Sequence, residues 1–230
     1  MIRILVALLL VVAAGPALAQ RATAIGEVER VVVWSYGTAP GASVRDLHER
    51  QPVVVNDAVE TVRDGALHLR FGDDTSLRLG SQSRAVLDRF VYDPAQGAGE
   101  MTVELGRGVF RFVSGRMDKR GYSLVTPTAT IGVRGTDLVI EVLDNGDTIV
   151  TVVEGEAVVG PRDVGAGATV TRDEQGVARN GERQVQVQPR PPLGRAVPES
   201  LSNDAGRGDS GHGGGGGSFD RSGDEGHSEG

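Results

Sequence analysis

The chain has 230 residues, 34 of them glycine, with no cysteine, 4% aromatic residues and a formal net charge of −7 at pH 7. That length allows one or two domains. The missing cysteines exclude disulfide frameworks, thiolate metal sites and a cysteine nucleophile, and the acidic balance argues against a nucleic-acid partner, which needs a basic surface.

Met1 to Ala19 has the parts of a secretory signal peptide. Arg3 is the positive n-region, Ile4 to Ala14 is the apolar stretch, and Ala17-Leu18-Ala19 offers small residues for cleavage. No second apolar run approaches the ~20 residues that span a bilayer. The expectation is an exported mature chain without a transmembrane segment, in the periplasm or outside the cell.

Ile25, Val28, Val31, Val32 and Val33 predict a strand over residues 26–34. A loop with Pro40 follows, then a polar stretch over 43–51 in which His48 reads as a solvated loop histidine. Residues 52–55 and 58–62 predict two short strands. Asp64-Gly65 is a hairpin signal, and Leu67, Leu69 and Phe71 then alternate with His68 and Arg70, which places His68 at the surface. Gly72-Asp73-Asp74 reads as a turn. Its acidic pair serves the turn itself, because no calcium-loop pattern surrounds it.

Further strands are predicted over 84–92 and around Met101 to Leu105. Gly106-Arg107-Gly108 makes a tight corner. Residues 109–113 are apolar apart from Arg111, as in a strand covered on both faces. Ser114 to Gly121 is a polar loop carrying Arg116, Lys119 and Arg120. A solvated loop is the plain reading of it; contact with an acidic partner or a phosphate is the other.

Residues 126–142 form the centre of the pattern. Pro127 suits the start of a strand or an edge position. Gly132 and Gly135 bracket a corner around Arg134 as turn glycines, and Thr136 can back-bond that corner through its hydroxyl. Leu138, Ile140 and Val142 then alternate as in a half-buried strand. Asn145-Gly146 is the clearest hairpin turn, with both residues able to take positive φ. Residues 148–153 answer 138–143 across it, and 168–171 predict a last strand. Beyond about Glu174 the apolar pattern fades. Residues 184–188 could add a stray edge strand, 173–197 read as a linker, and the Gly/Ser/Asp-rich stretch 198–230 as disordered.

About a dozen short strands with turns between them indicate an all-β sandwich, barrel or solenoid. Four motifs occur together: the Asp57 to Leu79 segment, Leu105-Gly-Arg-Gly-Val-Phe-Arg-Phe112, the Thr-Pro run leading into Gly-Val-Arg-Gly-Thr136, and Val152-Val-Glu-Gly-Glu-Ala-Val158. In this order they resemble the FecR domain, the extracytoplasmic module of iron-siderophore signalling regulators. The resemblance covers residues 25–172. It implies a two-layered, β-solenoid-like fold and a surface that receives a signal from another envelope protein. Regulators of that type also have a cytoplasmic anti-sigma segment and a transmembrane helix. This sequence has neither motif, so the resemblance extends to recognition and not to anti-sigma activity.

No nucleophile elbow, zinc-protease helix or phosphate loop occurs, so the sequence gives no sign of an enzyme, a metal site or a cofactor. The expected function is a non-enzymatic binding or scaffold module for an envelope protein. Arg134 and Thr136 are its candidate contact residues. Gly132, Gly135, Asp64, Gly65, Asn145 and Gly146 are its structural turns. A secreted matrix component and a glycan-binding module are the alternatives. Trp34 and three tyrosines offer few platforms for sugar stacking.

Overall fold

A computed structural model describes residues 23–162, 167–190 and 201. The expected signal peptide, and the C-terminal tail apart from Leu201, lie outside the described residues. No helix among them is long and apolar enough to cross a membrane.

Eighteen strands succeed one another among these residues. The first six are β1 (Ala24–Val32), β2 (Ser35–Thr38), β3 (Arg45–Asp46), β4 (Pro52–Val54), β5 (Asp57–Thr61) and β6 (Ala66–Phe71). Then come β7 (Ser76–Leu79), β8 (Arg84–Asp93), β9 (Ala98–Leu105), β10 (Gly108–Val113), β11 (Tyr122–Val125) and β12 (Ala129–Val133). The last are β13 (Asp137–Val142), β14 (Thr148–Glu154), β15 (Glu156–Pro161), β16 (Ala168–Thr171), β17 (Glu174–Ala178) and β18 (Gln186–Pro189).

They form two nine-stranded sheets. The first runs β18-β17-β14-β13-β10-β7-β6-β1-β4 and the second β16-β15-β12-β11-β9-β8-β5-β2-β3. The chain lays down one or two strands in one sheet, then crosses to the other. The pairings are antiparallel except that of β9 with β11, which is parallel. This is the expected all-β, two-layered architecture.

Period-2 patterning explains the layering. In β5 and β12 every second residue is buried. Leu67, Leu69, Leu77, Leu79, Phe110 and Phe112 of the first sheet point into one core with Val59, Leu124, Ile131 and Val159 of the second. Phe112 meets Tyr122 edge to face across that core, with ring centroids 5.7 Å apart.

Several local expectations need correction. The strand expected over 26–34 is broken at Val33, whose φ of 61° turns the chain from the first sheet to the second. The turn leaves Trp34 63% exposed. Asp64-Gly65 is not a hairpin. It joins β5 and β6, which lie in different sheets, and only Asp64 takes positive φ, at 60°. Gly132 is not a turn glycine but lies inside β12, paired with Ser123 and Val158. His68 does point away from the core, but it is buried and not at the surface. The stretch expected as a linker contains β17, which is paired with β14; the edge strand β18 beside it agrees with the one expected over 184–188.

Asn145-Gly146 does close a hairpin, between β13 and β14. Only Gly146 has positive φ, at 88°; Leu143 N donates to Asp147 O at 2.9 Å and Gly146 N to Leu143 O at 2.9 Å. In the β6–β7 turn Asp74 takes the left-handed conformation (φ 67°), while the Asp73 carboxylate is buried. It accepts hydrogen bonds from the Thr75 amide (3.1 Å), the Thr75 hydroxyl (2.7 Å) and the Tyr122 hydroxyl (2.7 Å). Tyr122 in turn accepts from the Met117 amide at 3.1 Å, which ties the basic loop over 114–121 to the core.

Removing the Tyr122 hydroxyl leaves both a buried carboxylate oxygen and a buried amide short of a partner. Tyr122→Phe is therefore expected to cost about 1–3 kcal/mol in denaturant unfolding. Burial pushes the phenol above its ordinary range and the adjacent Asp73 charge adds to this, with the Thr75 hydroxyl opposing. A raised folded-state pKa holds stability below the unfolded value, near 10, and loses it as pH rises above that. The wild-type protein should lose stability more steeply above about pH 10 than Tyr122→Phe does, as read from unfolding midpoints across that range.

Candidate functional site

The corner between β12 and β13, residues 134–136, packs against two other segments. Ser114 N donates to Thr136 O at 3.1 Å, and Thr136 N donates to Ser114 Oγ at 3.0 Å. Arg134 N donates to Glu156 O at 3.2 Å, which fixes the corner to the β14–β15 turn. Gly135 has φ +71° and Gly155 has φ +80°, both in the left-handed region that favours glycine. A Cβ on Gly155 would stand 2.3 Å from Gly135 O, so the two turns stack backbone on backbone.

An open cleft of about 950 Å³ lies over this stack. Lys119 and Arg120 of the basic loop, Arg134 of the corner, and Glu156 beside Gly155 line it. Three cations thus face two carboxylates, Asp118 and Glu156. Arg134 pairs with Glu156 at 3.3 Å with both side chains about half exposed, and Arg120 approaches Asp118 at 3.8 Å. Exposed pairs of this kind contribute at most about 1 kcal/mol each, so these cations can exchange partners readily. The Lys119 chain lies across Gly135, with its Cε 2.8 Å from where a Cβ would sit.

The two residues expected to contact a partner separate here. Arg134 is exposed on the cleft wall. Thr136 is only 3% exposed, so a surface partner does not reach it. Nor does its hydroxyl back-bond the corner: Thr136 Oγ1 has no hydrogen-bond partner, and the Ser114 hydroxyl bridges the corner instead. Lys119 and Arg120 join Arg134 only through the fold. Their signal in the sequence was the basic loop itself, and nothing there shows which corner it meets.

The opposite end of the sandwich has a smaller cleft of about 590 Å³. Its charges resemble those at the corner: Arg63, Arg84 and Arg107 face two carboxylates, with Arg84 paired to Glu60 and Arg107 to Asp144. The Thr126, Thr128 and Thr148 hydroxyls near that end bond one another at 2.8 Å, so the Thr-Pro run is structural. Among the described residues no three His, Asp or Glu side chains gather as metal ligands.

The two corner glycines should differ in tolerance. Gly135→Ala meets the far end of a flexible lysine and costs about 1–2 kcal/mol, mainly through its left-handed φ. Gly155→Ala meets main chain and should lower the unfolding midpoint more. Equal midpoints for the two variants would show that the turns do not stack as described.

Residues 57–158 match the family model described as FecR protein. No curated protein matches the chain. Two crystal structures, at 1.65 Å and 2.50 Å resolution, of a "putative anti-sigma factor" from Parabacteroides distasonis are similar to it. Their identities are 16% and 15%, and their TM-scores 0.45 and 0.46. In each case the similarity covers 57% of this chain and 59% of the other. The matched segment runs from β5 into β15, spans the basic loop, the corner and the Gly155 turn, and is narrower than the 25–172 expected from motifs. Over residues 57–158, a little under half of its length, this chain is similar to FecR proteins.

Proposed function

We propose that this protein is an exported, non-enzymatic recognition module that holds an envelope protein through the cleft at the β12–β13 corner. The FecR match over residues 57–158 supports a signalling-related module. The observation that carries the finer reading is the cleft: Lys119, Arg120 and Arg134 stand exposed on one rigid corner of a chain whose net charge is −7. A local basic wall on an acidic protein favours an acidic segment and rejects segments of the wrong charge. The corner is held by main-chain hydrogen bonds and two left-handed glycines, so little ordering is left for binding to demand. The edge strands β4 and β18 of the first sheet offer further main-chain groups for strand addition.

A second reading rests on Trp34. It is the one tryptophan, and it is held out on the Val33 turn with most of its ring exposed. An exposed indole suits an apolar anchor or a sugar face.

Crosslinking the protein in intact envelopes, with partners identified by mass spectrometry, tests both. The expected result is one dominant envelope protein, whose capture falls about fivefold or more in Arg134→Ala/Lys119→Ala, a loss of ~1 kcal/mol. The melting temperature should stay within a few degrees, because the charges removed are exposed. If capture and melting temperature fall together, the corner is structural only. Self-crosslinks alone would favour a matrix role. Glycan retained by the wild type and lost in Trp34→Ala would favour the sugar reading.

A further inference from the structure

One row of side chains on the side of the first sheet turned away from the core is unusual for its burial. His68, Arg78, Arg111, Val139, Thr151 and Gln175 stand side by side across it, each paired with the next on neighbouring strands. All but the half-buried Arg78 are buried. The matching outer row of the second sheet, from Ala58 through Val86, Glu104 and Val125 to Thr130, is half-buried or exposed.

At the middle of the buried row two arginines stand directly opposite each other, an arrangement that like charge disfavours. Arg111 donates from Nε and one Nη to both oxygens of Asp137, at 2.9 and 2.6 Å. Its remaining Nη donates to the main-chain carbonyl of Leu201 at 3.1 Å, and Arg78 donates to the same oxygen at 3.3 Å. Leu201 is 0% exposed, although 90 residues separate it from Arg111. Its Cδ1 lies 3.8 Å from where a Cβ on Gly80 would stand, so the Leu201 side chain sits beside Gly80.

We infer that this face is a peptide-binding site, independent of the corner cleft, and that Leu201 occupies it as the chain's own ligand. The ligand class is a short peptide segment that offers a leucine side chain to the wall beside Gly80 and its main-chain carbonyl to the Arg78–Arg111 fork. Two neighbouring cations, one of them already held by Asp137, gain from a further oxygen acceptor. Burial, together with the Arg111 charge, pulls Arg78 below its ordinary range, consistent with a site that benefits from such an acceptor. A foreign leucine-bearing segment of the same chemistry competes with Leu201, which makes residue 201 a self-occluding latch.

The test uses full-length protein and a fluorescein-labelled peptide with the sequence of residues 197–205. Leu201→Lys should free the face and bind the peptide saturably, at least tenfold tighter than the wild type does. Adding Arg78→Gln should abolish that gain, and a peptide carrying Leu201→Lys should not bind. Equal peptide affinity for wild type and Leu201→Lys would overturn the proposal. A second measurement does not depend on how that variant folds. The protein has no native cysteine, so Gly80→Cys/Leu201→Cys places two unique thiols. A short bis-maleimide should bridge them within one chain. Two reactive thiols that give no internal bridge would show that Leu201 does not sit on this face.

Discussion

Every element of this fold depends on mutual burial of the two sheets. A strand of four to six residues turns only two or three side chains to one side, too little apolar surface to hold it in place alone. Leu67 and Leu69 of β6 are buried in a core that the opposing layer completes with side chains such as Val59 and Leu87. The chain meets this demand by switching layers every one or two strands, so each new pair is covered as it is laid down. The same alternation places the crossing segments at the two ends of the sandwich, where main-chain groups have no ladder partner and must be satisfied locally.

The two ends solve that problem differently. At one, the Thr126, Thr128 and Thr148 hydroxyls bond one another. At the other, Ser114 bridges the corner, Asp73 organises Thr75 and Tyr122, and Gly155 lets two turns touch through their main chains. With main-chain and buried groups forming the frame, the charged side chains of the second end are free to point outward. A rigid corner carrying exposed Lys119, Arg120 and Arg134 follows from that division. The outer face of the first sheet shows the opposite economy: charged side chains are drawn in, and Arg111 is held by Asp137 while it reaches a distant main-chain carbonyl.

Much of the architecture was legible in the sequence because period-2 alternation is a local property. The alternation of Leu138, Ile140 and Val142 fixed which side of β13 faces inward, and Asn145-Gly146 fixed the turn that follows. The near-continuous apolar run at 109–113 indicated a strand covered on both faces; Phe110, Arg111 and Phe112 are buried, and Val109 and Val113 half-buried. The errors arose where one local signal serves two geometries. Asp64-Gly65 supplies a reversal whether the next strand pairs with the last or crosses to the other sheet. Val33 gave no sign of a break, since a valine at positive φ is unfavourable and only the packed layers impose it. Residues 174–178 looked weak as a strand because Gln175 and Gly176 obscure the alternation, yet β17 is held by β14 on one side and β18 on the other.

The sequence by itself determined the all-β class, the inward face of the central strands, the Asn145-Gly146 hairpin and the family motifs, since each is written in residues close together along the chain. Only the tertiary structure decided that Lys119, Arg120 and Arg134 share a cleft, that Thr136 is hidden while Arg134 is not, and that Leu201 meets Arg78 and Arg111. The cleft and the Leu201 contacts join residues from 14 positions apart, Arg120 and Arg134, to 123, Arg78 and Leu201. They are set by which strand lies beside which across two sheets, and residue spacing carries no record of that order.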